Sequence, residues 1–145
     1  RLVLKWSSNL HELGMFLTYS GYHKHGSYLL MHHEMPGFSR QEQRKIAALI
    51  LGHRGRIRKA QINDLALKPN QHFFHLLALL RLASRIHRRR SPKPPPGVQL
   101  TADGMVLDIS FPTNWLESRP LTHQDLTRNA KELSELGYQI SISMR

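Results

Sequence analysis

The sequence predicts an α+β protein: a mainly helical domain followed by a small α+β domain with a short antiparallel sheet. Three observations carry this. Up to residue 90 the apolar residues recur at helical spacing. "SPKPPPG" (91–97) suits neither a helix nor a central strand. Beyond it, "VQLTADGMVLDISFP" alternates polar and apolar residues. The predicted domains are therefore 1–90 and 98–145, joined by the Pro-rich connection 91–97.

Residues 2–17 carry Leu2, Trp6, Leu10, Leu13 and Leu17 at steps of four, four, three and four, an amphipathic helix stripe. Gly21 resets the chain, and residues 22–33 read as a second helix with Tyr28 and Leu29 on its apolar side. Pro36 and Gly37 end it. "SRQE" (39–42) fits a capping box, with Ile46, Leu49 and Ile50 on the buried face of the third helix. "GHRGRIRK" (52–59) is a basic loop, followed by a short helix within 60–67. Asn70 suits the N-cap of a helix carrying "FFHLLALLRLAS", which is apolar nearly all round and runs on into "RIHRRR". In the second domain "ADG" signals a hairpin. Thr122 can cap a helix bearing Leu126, Ala130 and Leu133, with Gly137 at its end, and "YQISIS" (138–143) reads as a closing strand.

Composition narrows the chemistry. The 145 residues include no cysteine, so there is no disulfide framework, thiolate metal site or thiolate nucleophile, which fits a reducing compartment. The chain starts with Arg1 in a helical pattern, so it is expected to be a piece of a longer protein. No apolar run approaches bilayer-spanning length. The net charge is +11, and its distribution is uneven. Residues 40–93 hold 14 Lys and Arg against only Glu42 and Asp64, a net of +12, while the remainder nets −1. Such a local field attracts polyanions, with a merely solvated face as the alternative. Arg54, Arg56, Arg58 and Lys59 cluster in the loop, and Arg81, Arg85, Arg88 and Arg89 fall on one side of a helix end. Guanidinium suits phosphate because its planar fork bonds two oxygens at once. Nucleic acid is not expected as the partner. Exposed aromatics that would stack on bases are few, and only Tyr19 and Tyr22 lie near the basic region.

Residues 10–33 also carry five histidines: His11, His23, His25, His32 and His33. His23, His25, His32 and His33, with Lys24, can donate to an anion, and a nearby phosphate would raise an imidazole's pKa so that it donates twice. The alternative is that they hydrogen-bond within the helical core or lie on a wet face.

"LHELG" (10–14), "SGYHKHGSYLL" (20–30), "PGFSRQEQ" (36–43) and "LLRLASRIHR" (79–88), in this order and spacing, resemble the C-terminal half of the bacterial exopolyphosphatase and guanosine pentaphosphate phosphohydrolase family. "SGYHKHGSYLL" and the basic loop resemble the exopolyphosphatase branch more closely. The resemblance implies an HD-like helical domain plus a small terminal domain. It places the chemistry in N-terminal actin-like catalytic domains, which nothing in this chain matches. An HD metal site would need an adjacent His–Asp pair and a distal acid. Here the pair is His11–Glu12, and Ser84 stands where the acid would fall. The site is therefore read as degenerate, with no metal and no cofactor in this chain. A divalent cation such as Mg is expected for the full-length enzyme.

The resulting expectation is a substrate-channel and dimerisation region of a full-length exopolyphosphatase, itself inactive, that binds inorganic polyphosphate. The candidate contacts are His23, Lys24, His25, Arg54, Arg56, Arg58, Lys59, Arg81, Arg85, Arg88 and Arg89. Other expected partners are the N-terminal domains and a second copy as homodimer. The expected location is cytoplasmic, with peripheral attachment to the inner membrane as an option. Alternatives are a guanosine pentaphosphate phosphohydrolase, a stand-alone HD-type metal phosphohydrolase, and a nucleic-acid-binding module.

Overall fold

The computed structural model describes residues 1–93, 95 and 97–145. Contacts divide the chain into two units, Arg1–Arg81 and Leu82–Arg145. The Pro-rich connection expected at 91–97 includes residues 94 and 96, which lie outside the described residues.

The first unit is built from α1 (Leu2–Leu10), a 3₁₀ turn (Leu13–Phe16), α2 (Tyr22–His32), α3 (Arg40–Gly52), α4 (Lys59–Leu65) and most of α5 (Gln71–Ile86). The core lies along α3. Ile46, Ala47, Ala48, Leu49 and Ile50 are all fully buried. Leu30 clusters with Ile46, Ala47 and Ile50, and Val3, Leu10, Leu13, Met35, Phe38 and Leu65 pack against them. The start of α3 is fixed as its sequence predicts. The Ser39 hydroxyl accepts from the Glu42 amide at 3.1 Å, and the Glu42 carboxylate accepts from the Ser39 amide at 2.9 Å. Asn70 caps α5, accepting from the Phe73 amide at 3.1 Å. Arg44 reaches from α3 to the end of α4, donating to the carbonyls of Leu65 (2.8 Å) and Asp64 (3.0 Å).

Two expectations fail here. The 2–17 stripe is not one helix: α1 stops at Leu10 and the chain tightens into the 3₁₀ turn, leaving Leu2 and Leu17 exposed. The cause is close backbone packing. A Cβ on Gly14 would lie 1.8 Å from the Tyr22 carbonyl oxygen and 2.6 Å from the Gly26 amide. The buried face of α2 is Tyr22, Gly26, Ser27 and Leu30, so Tyr28 points outward against His32.

The second unit holds β1 (Gln99–Asp103), β2 (Val106–Phe111), α6 (Thr113–Glu117), α7 (Pro120–Ser134) and β3 (Gln139–Met144). β1 and β2 form the expected hairpin, pairing Asp103 with Val106 across Gly104 and Met105. The sheet order is β1-β2-β3, and β3 runs parallel to β2. The expected all-antiparallel sheet is therefore a mixed one. α6 and α7 provide the long crossover that a parallel pair needs. β2 alternates outward and inward, burying Leu107, Ile109 and Phe111, while α7 buries Leu126 and Leu133. Thr122 does not cap α7. The helix starts at Pro120, whose missing N–H costs nothing at a first helical position, and Thr122 is buried inside its first turn. Among the described residues no helix is long and apolar enough to cross a membrane.

Candidate anion-binding site

The basic loop follows α3 because that helix ends at Gly52, where Leu77 Cδ1 would lie 2.9 Å from any added Cβ. Ile57 is buried and pins the loop, while its neighbours Arg56 and Arg58 are exposed. Arg81 holds the loop from beneath. Its side chain is only 1% exposed and donates to the carbonyls of Gly52 (2.5 Å) and Gly55 (2.8 Å). Burying a guanidinium is costly unless its hydrogens find acceptors, and these carbonyls supply them.

Arg54 lies over two tyrosines, 4.4 Å from the ring centre of Tyr22 and 5.0 Å from that of Tyr19. Tyr22 is buried and Tyr19 is 66% exposed, so the guanidinium spans from the interior toward solvent. His53, the residue after α3, is buried, with Nδ1 donating to the Ile50 carbonyl at 2.5 Å. Its ring meets those of Tyr22 at 5.8 Å and His11 at 5.3 Å. His23 faces the loop, 3.5 Å from where a Cβ on Gly55 would lie. Burial lowers its pKa to about 4, helped by the positive charges of Arg54, Lys24, Arg81 and His25. His23 is therefore neutral at pH 7. Among the described residues, its Nδ1 and the Nη1 of Arg54 are buried without a hydrogen-bond partner. Each such orphan costs about 1–3 kcal/mol, so two in one neighbourhood mark a place that an acceptor would satisfy when Nδ1 carries the imidazole's proton.

The structure thus brings His23, Arg54 and the Arg81-held loop together. Other predicted contacts fare differently. Lys24, Arg56, Arg58 and Lys59 are exposed, with Lys59 Nζ 5.9 Å from the Phe74 ring centre. His25 Nε2 donates to the Ser20 carbonyl at 3.1 Å, which commits that nitrogen within the chain. Arg81, another candidate contact, is turned inward and donates to backbone carbonyls. Arg85 is half-buried in the second unit, where Arg88 and Arg89 lie beyond the end of α5. Sequence reading missed His53 as part of the site. A histidine placed directly after a helix end, inside a basic loop, was the available signal.

The positions weighed for a metal, His11, Glu12 and Ser84, are held by other contacts. His11 Nδ1 bonds the Ser8 carbonyl at 2.6 Å, and its Nε2 lies 3.8 Å from Glu12. Ser84 belongs to the second unit. Among the described residues, no group of three or more His, Cys, Asp or Glu side chains could hold a metal ion.

A family profile described as Ppx/GppA phosphatase, domain III, matches residues 1–130. The chain belongs to the Ppx/GppA phosphatase family. A guanosine-5'-triphosphate,3'-diphosphate pyrophosphatase of Pseudoalteromonas translucida is 32% identical over 136 residues, covering 94% of this chain and 27% of that protein. Proteins of the same name from Vibrio campbellii and Vibrio vulnificus are 32% and 31% identical, covering 98% and 99% of this chain. The chain spans a little over a quarter of the length of these relatives, 27–29%. All three bear the name of the pentaphosphatase branch, not that of the exopolyphosphatase branch.

Proposed function

We propose that this chain is a C-terminal, substrate-holding region of a guanosine pentaphosphate phosphohydrolase. Its basic loop contacts phosphate groups remote from the bond that breaks. The observation that carries the reading is the conjunction of the domain III match with the names of the relatives. The His23–Arg54 neighbourhood supports it chemically. Its orphaned donors suit a phosphate oxygen, and a bound anion would raise the depressed pKa of His23 and let the ring donate from both nitrogens. Water attack at phosphorus, with any Mg that assists it, belongs to domains outside this chain.

Remote contacts stabilise bound substrate and transition state alike, so losing them raises KM more than it lowers kcat. The test uses the full-length enzyme with guanosine pentaphosphate. Arg54→Ala should raise KM about tenfold or more, the scale of a lost charged hydrogen bond, with kcat within about threefold. A loss in kcat alone would place Arg54 nearer the reaction and overturn this role.

A second reading, exopolyphosphatase, is favoured by the net +12 held in residues 40–93, more charge than one nucleotide needs. Assays of the same enzyme on long-chain polyphosphate decide between them. A kcat/KM on polyphosphate far above that on guanosine pentaphosphate would support the second reading and remove the first.

A further inference from the structure

The stretch "MHHEM" (31–35) ends α2 and opens the turn toward α3, away from the basic loop in sequence. All five of its residues line one open recess of about 490 Å³, which Phe38 and Arg40 also line. Met31 and Met35 pack against the core cluster of Leu30, Ile46, Ala47 and Ile50, and this packing restrains both thioether side chains. His33 is oriented by a hydrogen bond. Its Nδ1 donates to the Leu29 carbonyl at 2.9 Å, and a carbonyl can only accept. The neutral ring therefore keeps its lone pair on Nε2. A backbone carbonyl on one ring nitrogen, with the other nitrogen left to coordinate, is the usual support of a metal-binding imidazole. The backbone of the turn is fixed as well. Gln43 of α3 is buried, and its Nε2 donates to the carbonyls of Leu30 and, at 2.9 Å, His33. His32 is placed differently, with its ring 4.2 Å from that of Tyr28.

We propose that this recess binds a soft monovalent cation, copper(I), through the thioether sulfurs of Met31 and Met35 and Nε2 of His33. Thioethers select Cu(I), and imidazole suits it, whereas magnesium and calcium take oxygen ligands. Harder donors do not suffice here. Among the described residues no three His, Cys, Asp or Glu side chains could hold a metal, so the two sulfurs are what complete a site. Charge points the same way. Glu34 and Arg40 cancel within the recess, while the chain as a whole carries +11. A monovalent ion meets less repulsion from that field than a divalent one, and loses less hydration on entering a wall of Met and Phe side chains. The site lies in the first unit, uses none of His11, Glu12 and Ser84, and is independent of the proposed function.

The test is titration of the tag-free 145-residue chain with Cu(I), kept reduced by ascorbate under argon and followed by NMR of the methionine methyl groups. Cu(I) is diamagnetic, and the methionines are Met15, Met31, Met35, Met105 and Met144. The Met31 and Met35 signals should shift together and saturate at one equivalent, while the other three stay in place. Met31→Leu and Met35→Leu conserve side-chain volume but remove a sulfur. Each should weaken binding about tenfold or more, measured by competition with a colorimetric Cu(I) chelator. His33→Gln should weaken it on the same scale, and His32→Gln should leave affinity nearly unchanged. The wild-type methyl shifts decide the matter even where a variant folds poorly. Shifts absent or spread over all five methyl groups, equal affinity in Met31→Leu and Met35→Leu, or displacement of the copper by equimolar zinc(II) would each overturn the proposal.

Discussion

The imidazole of His23 is partly buried and feels the positive charges of Arg54, Lys24, Arg81 and His25, so holding a proton costs more in the folded chain than in the unfolded one. The sign of its effect on stability follows. The folded pKa is about 4, below the ordinary 6.5. Between these values the unfolded chain binds a proton that the folded chain refuses. The contribution is complete above pH 6.5 and is lost as the pH falls toward 4. The melting temperature should therefore fall between pH 7 and pH 5 more steeply for the wild-type chain than for His23→Gln, measured by circular dichroism in matched buffers. Carboxylates titrate alike in both proteins and cancel in the comparison. Parallel slopes would mean that the His23 environment is no harder to protonate than water. A phosphate at the site should reduce the wild-type slope, because the anion restores the charged imidazole. The sequence shows His23 and Arg54 as candidates, since residue type and local charge density are visible in it. It does not show that Arg81, in the same basic count, is turned inward. That depends on two backbone carbonyls, those of Gly52 and Gly55, which come near it only on folding.

At the scale of elements, Gly14 decides how the first two helical segments meet. Its α-carbon lies against the backbone of α2, and neither the Tyr22 carbonyl nor the Gly26 amide can swing aside as a side chain can. Gly14→Ala should therefore cost about 3 kcal/mol or more, at the upper end for overpacking. Gly26→Ala meets Ile50 Cγ2 at 3.2 Å and the Gly14 amide nitrogen at 3.3 Å, tight contacts but not the overlap at Gly14, and gains helix propensity of up to about 1 kcal/mol. It should cost much less. Urea midpoints of the two variants test the ordering, and an unchanged midpoint for Gly14→Ala would refute the close packing. The same elements show where sequence reading works. Caps were legible because they are chemistry between residues three apart: Ser39 with Glu42, Asn70 with Phe73. The break after Leu10 was not, because the stripe from Leu2 to Leu17 keeps helical spacing while long-range backbone contact overrides it. The direction of β3 was hidden for a related reason. Its alternation gives the strand, but pairing with β2 is decided by the crossover through α6 and α7.

For the whole molecule the governing quantity is the charge, +11 overall and concentrated between residues 40 and 93. The structure sorts that charge by availability. Arg81 is spent on backbone carbonyls, Arg44 caps α4, and Arg88 pairs with Asp125. Arg56, Arg58 and Lys59 remain exposed in the first unit, held in place by the buried Ile57 between them. Only charges that meet a polyanion and release its counterions give binding a salt dependence; committed charges raise the net count without doing so. By analogy with nucleic acids, each lost phosphate contact flattens the slope of log affinity against log salt by about 0.7–0.9. Changing Arg56, Arg58 and Lys59 together to Ala should thus flatten the slope for long-chain polyphosphate by about two to three, measured by fluorescence anisotropy across a salt series. Since all three side chains are exposed, the melting temperature should stay within a few degrees of wild type. Removing Arg81 should do the reverse, lowering stability by several kcal/mol, because the buried Gly52 carbonyl would lose its donor and the loop its anchor, while the slope stays close to wild type. An unchanged slope in the triple variant, with folding intact, would mean that the loop is a solvated face and that the polyanion, if it binds, is held elsewhere.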